Sequence, residues 1–228
     1  MEHVSSESDE ATRKWYFVPL WLFVAIMAVV GEVAVWPFDM EISQYYRTTK
    51  IPSELNKLVN ISEAFAHGTG IAVILITLFW MDIPRRKNLL VVALIVILAG
   101  VASNSAKRIY PRIRPHTDHD AMVVSAADSW TYAAKIKKSD STIQSFPSGH
   151  SAATVSFAIG LAFVYPRGRW IFLTLAILAC FQRVISAAHY PTDVFAGAVV
   201  GCAVAGLVLN KYSMGFLRKL STNKQVVT

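Results

Sequence analysis

Four cations fall within eight residues in the run Lys107-Arg108-Ile109-Tyr110-Pro111-Arg112-Ile113-Arg114-Pro115. Lysine offers a point charge and arginine a planar fork, and both suit phosphate oxygens. The same run could equally be a basic collar whose side chains reach the lipid headgroups. A second cluster, Ser145-Phe146-Pro147-Ser148-Gly149-His150-Ser151, stands at the entrance to an apolar run. Ser148 fits the N-cap of a helix there. A helix start presents free N–H groups and a positive dipole end to an anion, and Gly149 would let that anion approach the backbone closely. His150 in the first turn could give or take a proton, or could be an interfacial histidine at an ordinary capped start. The third cluster is Arg183-Val184-Ile185-Ser186-Ala187-Ala188-His189-Tyr190-Pro191-Thr192-Asp193. Pro191 suits the first turn of a helix, which puts His189 just before that helix and Asp193 in its opening turn. A carboxylate that accepts a hydrogen bond from one imidazole nitrogen leaves the other free as a nucleophile. An Arg183–Asp193 structural pair with a turn histidine is the other reading of this segment. Together the clusters supply cations, an anion-binding helix start, two histidines and an orienting carboxylate, the inventory that phosphoryl transfer through a histidine requires.

The elements that must hold these residues are apolar. Of 228 residues, 54% are hydrophobic and 16% charged, with a mean hydropathy of +0.42. Soluble domains carry about 25% charged residues, so an ordinary soluble enzyme is disfavoured, and a disordered chain is excluded by the apolar content. The net charge of +7 does not indicate nucleic acid, because the basic residues lie between apolar runs rather than in a stripe with aromatic residues. Cys180 and Cys202 sit inside apolar runs and read as packing residues. Six runs suit transmembrane helices: Trp15 to Trp36, Ile61 to Met81, Leu89 to Ala106, Ser151 to Tyr165, Trp170 to Ala188 and Val194 to Leu209. The fold class expected is all-α, a six-helix transmembrane bundle over residues 15–212, with a polar tail at 1–14 and a basic tail at 213–228. The first run lacks a basic leader and a cleavage site and is expected to remain as a span. Arg13 and Lys14, Arg85 to Lys87, Arg167 and Arg169, and Lys211 to Lys224 all fall on one side, which positive-inside makes cytoplasmic. Both termini are then cytoplasmic. All three polar clusters lie on the outer side, with a connecting segment from Asp39 to Asn60 and a loop from Lys107 to His150 that shows no periodicity of its own.

The remaining polar features carry weaker signals. His116, Asp118, His119 and Asp120 match no closed metal site and read as a solvated loop. Lys135, Lys137 and Lys138 read as a solvated face. Glu32 and Glu63 read as interfacial, and His67 as a packed polar residue. Gly197, Gly201 and Gly206 suit close helix packing.

The spacings Lys107-x6-Arg114-Pro115, Pro147-Ser148-Gly149-His150 and Arg183-x5-His189-x3-Asp193 resemble the three-part signature of the type 2 phosphatidic acid phosphatases. That superfamily includes glucose-6-phosphatase and the vanadium haloperoxidases. One departure is Gln182, where the family usually has serine; its amide can still hydrogen-bond. The resemblance implies that His189 attacks phosphorus, Asp193 orients it, and His150 protonates the leaving oxygen and then activates water. It also implies that Lys107, Arg114, Ser148, Gly149 and Arg183 hold the phosphoryl oxygens, with no metal and no cofactor. The implied partners are the bilayer and a phosphorylated lipid, with no nucleic acid; oligomeric state is left open. The implied location is a bacterial cytoplasmic (inner) membrane. A vanadate-dependent haloperoxidase shares the pocket but resembles larger soluble proteins. A transporter or scaffold would carry polar residues at mid-membrane, whereas here they gather at one face.

Overall fold

The computed structural model describes residues 20–49, 51–116, 125–135 and 141–226. Within them the chain is all-α, with no strand and one isolated parallel bridge between Arg112 and Gln144. Helix α1 (residues 20–35) continues through a 3-10 turn at Trp36–Phe38 into α2 (Asp39–Thr48). Pro37 opens that turn, where its missing N–H loosens the helix without ending it. Next come α3 (Ser53–Ser62), α4 (Gly68–Met81), α5 (Arg86–Ile109), α6 (Ala126–Lys135), α7 (Gly149–Val164), α8 (Arg169–Ile185) and α9 (Pro191–Val226). Helix α5 stops before Pro111, as the two prolines there predict.

Four helical stretches, Leu20–Thr48, Ile83–Ile109, Pro166–Ile185 and Pro191–Ser213, are long and apolar enough to cross a bilayer. A fifth arises if α3 and α4 form one broken span, bent by 63°. The bend corrects the expectation of one continuous run from Ile61 to Met81. Its causes are local: His67 is extended (φ −86°, ψ 136°), and Gly70 passes so close to Ala64 that a Cβ would strike the Ala64 carbonyl oxygen. Two further expectations are corrected. The segment from Asp39 to Asn60 is occupied by α2 and α3, and the long loop contains α6. Each of these helices has a buried side chain or two facing the bundle and exposed ones elsewhere, a pattern too short to stand out in an apolar chain.

Helix α7 is the hub, packed against α5, α8 and α9. One of its faces, with Phe157, Leu161 and Val164, joins Phe65, Leu89, Val92 and Ala176. The opposite face, with Val155 and Ile159, joins Ala28, Ile95, Cys202, Ala205 and Leu209. A helix buried on nearly every face has no polar side, and α7 reads accordingly from Ala152 to Val164. Phe23, Ile26, Val33, Trp80, Ile97, Val101, Trp170, Ile177 and Leu207 face outward. So large an apolar exterior is what a lipid-facing surface needs.

Gly197, Gly201 and Gly206 of α9 mark close approaches. A Cβ at Gly201 would lie 2.6 Å from the Ala152 carbonyl oxygen, and one at Gly206 2.7 Å from the Trp21 ring. At Gly197 a Cβ would collide with the Ser148 carbonyl oxygen and reach Ser151 Cβ at 3.0 Å. Gly197→Ala is therefore expected to cost about 1–3 kcal/mol, the usual range for overpacking. Turnover should fall as well, because the α7 start must move away from α9. Gly68→Ala, where the new Cβ meets nothing within 4 Å, is the matched control. Thermal midpoints of both variants in detergent check this; equal midpoints would contradict the close-approach reading.

Candidate active site

The starts of α7 and α9 are tied together where the motifs meet. Ser148 caps α7, its Oγ accepting from Ser151 N–H at 3.3 Å. Its own N–H donates to the Asp193 carbonyl at 2.8 Å. Helix α8 ends in a Schellman turn: Ala187 N–H donates to Val184 O and Ala188 N–H to Arg183 O, with Ala187 left-handed at φ 51°. That turn delivers His189 to the space beside α7, its N–H donating to Arg183 O at 3.2 Å.

His189 is 2% exposed and Asp193 fully buried. His189 Nδ1 lies 3.6 Å from Asp193 Oδ2, too far for a hydrogen bond. It lies 3.4 Å from Ser145 Oγ, which donates to the same Asp193 oxygen at 2.5 Å. Ser145 thus stands between imidazole and carboxylate, a residue that sequence reasoning placed in the motif's approach but gave no role. Asp193 Oδ2 also accepts from Tyr190 N–H at 3.0 Å, and Oδ1 from Arg112 at 2.6 Å. With Nδ1 turned to this side, Nε2 is the nitrogen that faces away from the carboxylate. Burial, partly offset by Asp193, pushes the His189 imidazole down to about 4.

Around the histidines the expected cations take different partners. Lys107 Nζ points to the α7 start, 3.8 Å from where a Gly149 side chain would begin. Arg114 bonds the carbonyls of Ser141 (2.9 Å), Ala188 (3.4 Å) and Gln144 (3.4 Å), which fastens the segment after α5 over the α8–α9 turn. Burial holds the Arg114 guanidinium below the ordinary arginine value, against the pull of Asp193; it remains a cation. Arg183 donates to Glu63 Oε1 at 2.6 Å and from Nε to Gln182 Oε1 at 2.6 Å. The anionic partner of Arg183 is therefore Glu63, which corrects both the Arg183–Asp193 pairing and the reading of Glu63 as merely interfacial. Gln182 serves as an acceptor for its neighbour, so the departure from serine keeps a hydrogen bond at that place. His150, half-buried, lies within electrostatic range of Arg183, His189, His67 and Lys107. His67 is exposed rather than packed, because the bend before α4 turns it outward; its ring centroid is 6.0 Å from that of His150.

Arg112, which sequence reasoning counted only as one cation of four, is fully buried. It stacks on Tyr190 (3.9 Å) and Trp130 (5.0 Å) and donates to Ser129, Thr192, Asp193 and Asp39. Burial works against its charge, but Asp193 and Asp39 outweigh it and hold the guanidinium more firmly protonated than usual. Asp39 carried no sequence signal beyond opening the connecting segment from Asp39 to Asn60. Among the described residues no cluster of His, Cys, Asp and Glu could hold a metal. His116 bonds the Ala187 carbonyl at 3.2 Å; Asp118, His119, Asp120, Lys137 and Lys138 lie outside the described residues.

The helical fold and this site define a multi-pass membrane protein of a recognisable class. The sequence profile of the PAP2 superfamily matches residues 88–216, and the chain belongs to that superfamily. It is similar to the lipid A 1-phosphatase of Rhizobium johnstonii, 37% identical over 106 residues that cover 46% of this chain and 40% of that protein. The chain thus matches about two fifths of the length of that relative. It is also similar to the undecaprenyl-diphosphatase of Sulfolobus acidocaldarius, 24% identical over 214 residues, covering 91% of this chain and 97% of the relative. Among solved structures, a transmembrane PAP2-type phosphatidylglycerolphosphate phosphatase from Bacillus subtilis shares the fold, with a TM-score of 0.60 and 19% identity. The superposition covers 85% of this chain and 96% of that one.

Proposed function

We propose that the protein is an integral-membrane lipid phosphatase that removes a terminal phosphate, from a monoester or a diphosphate, through a phosphohistidine at His189. The observation that carries this reading is the placement of His189: its Nδ1 faces Ser145 and Asp193 at 3.4 and 3.6 Å, leaving Nε2 to attack. Nε2 bonds to phosphorus as the phosphorus–oxygen bond to the lipid breaks, and His150 gives its proton to the departing oxygen. Water then attacks the phosphohistidine, His150 takes a proton from it, and inorganic phosphate leaves. Lys107, Arg114, Arg183 and the α7 start at Ser148 and Gly149 hold the phosphoryl oxygens as negative charge builds. The resemblance implies that these cations do the neutralising, with no metal ion and no cofactor. Relatives named for lipid A and undecaprenyl diphosphate support a lipid substrate.

The reading includes six spans over residues 15–212, with α7 as the short fourth span and the α3–α4 pair as the broken second. Tails at 1–14 and 213–228 then face the cytoplasm of a bacterial inner membrane, and the site opens on the outer face. In a background without Cys180 and Cys202, a cysteine at exposed Thr131 should react with an impermeant thiol reagent in intact cells, and one at exposed Lys87 should not. The opposite pattern would invert the topology.

Phosphate release by the purified protein tests the activity, with phosphatidic acid, phosphatidylglycerophosphate, undecaprenyl diphosphate, lipid A and a sphingoid phosphate in mixed micelles. A soluble sugar phosphate is the control. At least one lipid should be turned over well above the sugar phosphate; turnover of none, by active-site-intact protein, would refute the reading.

The low His189 value has a pH consequence. Its folded value, about 4, lies below the ordinary 6.5. The folded state therefore binds that proton less tightly than the unfolded chain. The resulting stabilisation, roughly 3 kcal/mol, is present above pH 6.5 and is lost as pH falls through 4. The imidazole should accordingly stay neutral and nucleophilic across pH 5–8. Carbethoxylation of the His189 peptide, followed by mass spectrometry against pH, should show a midpoint near 4. A midpoint near 6.5 would contradict it.

A further inference from the structure

Resting on the phosphohistidine reading, we propose that Asp39 and Arg112 are positioning residues of the reaction: Asp39 on α2 fixes the Arg112 fork, and the fork fixes the Asp193 carboxylate behind His189. The first three members of this chain, Asp39, Arg112 and Asp193, are fully buried, and His189 is 2% exposed. Arg112 Nη2 donates to Asp39 Oδ2 at 2.7 Å and Nη1 to Asp193 Oδ1 at 2.6 Å. One planar group thus holds two carboxylates from opposite arms, which only an arginine can do. The fork cannot turn away, because its Nε donates to Ser129 and its face lies on Tyr190 and Trp130.

Asp39 does more than neutralise. Its Oδ1 accepts from Thr192 N–H at 3.0 Å, and its Oδ2 accepts from Thr192 Oγ1. Thr192 N–H is one of the unpaired donors at the start of α9, so Asp39 caps that helix from another segment. The same carboxylate therefore sets both the Arg112 fork and the helix turn that carries Asp193. Asp193 in turn leaves Oδ2 for Ser145, Tyr190 N–H and the His189 side, while Oδ1 is held by Arg112. Asp39 lies outside residues 88–216, so a segment beyond the family match completes the support of the nucleophile. Glu32 on α1 and Arg114 are further charges within range of this group.

Loss of such an outer support costs typically 10- to 100-fold in rate. Asp39→Asn keeps the shape and the acceptor but removes the charge. It should lower kcat and the single-turnover rate of phosphohistidine formation by about 10- to 100-fold, with KM changed by less than about threefold. Arg112→Lys retains a buried cation, and hence the fold, but loses the fork; it should show the same split. The double variant should fall no further than Arg112→Lys alone, within about twofold, because both changes act through one contact. Glu54→Gln, on the exposed surface of α3, should behave as wild type. Wild type and His189→Ala in the same assay keep the two ideas apart. Wild type without phosphatase activity would defeat the proposed function. Active wild type with either single variant at unchanged kcat, or with losses that multiply in the double variant, would overturn the positioning role and leave Asp39 as a structural tie between α2 and α9.

Discussion

His189→Ala should abolish lipid phosphate turnover, a loss of roughly 10,000-fold or more, because no other group replaces a deleted nucleophile. His150→Ala should lose about 100- to 10,000-fold, the usual share of a general acid–base. The two losses should differ in their dependence on the leaving group. A nitrophenyl phosphate departs with little need for a proton, so the His150 variant should retain relatively more activity on it than on a lipid phosphate. The His189 variant should lose both equally. The geometry supports this division: His189 is enclosed with Ser145 and Asp193 behind it, whereas His150 is half-buried at the first turn of α7 among the cations. Rates of the two variants on both substrates check the assignment. A His189 variant rescued by the activated ester, beside a His150 variant that is not, would exchange the roles.

Arg112→Met should be among the most damaging substitutions for stability. It leaves Asp39 and Asp193, both fully buried, facing one another without their shared cation. Removing one partner of a buried charged group costs about 3–5 kcal/mol, most of it the price of the stranded charge. The stack on Tyr190 is lost as well. By contrast Lys57→Met breaks an exposed pair with Glu54, with side chains 68% and 83% accessible, and should cost less than about 1 kcal/mol. Unfolding midpoints of the two purified variants in the same detergent give the comparison. An Arg112→Met midpoint no lower than that of Lys57→Met would show that the buried group is not what holds α2, α9 and the segment after α5 together.

The parts of the site that follow local rules were legible in the sequence. Ser148 caps its helix, Pro191 opens α9, and Pro111 follows the end of α5, because each effect acts within a turn or two of the residue concerned. The three motifs, read by spacing, converge on one place in the fold. What the sequence did not carry is the pairing. The sequence offered Asp193 as the partner of Arg183, and Glu63 read only as interfacial. Only the bend at Gly70, which swings α3 against α8, decides that Glu63 is its partner. Likewise Arg112 and Arg114 stand two residues apart with the same charge. The bridge with Gln144 and the Arg114 contacts to carbonyls send one to the interior and the other to the α8–α9 turn. Such choices depend on tertiary packing, and composition or periodicity cannot distinguish them.

If His189 is the nucleophile, turnover passes through a covalent phosphate on that residue. The direct measurement is to stop wild-type turnover of a radiolabelled lipid phosphate with alkaline detergent, digest with trypsin and map the label. Cleavage after Arg183 separates His189 from His150, so each histidine falls in a different peptide. Acid-labile, base-stable label on the His189 peptide, absent from His189→Ala, is the predicted result. Label on the His150 peptide, or steady turnover in His189→Ala with no phosphohistidine anywhere, would contradict it.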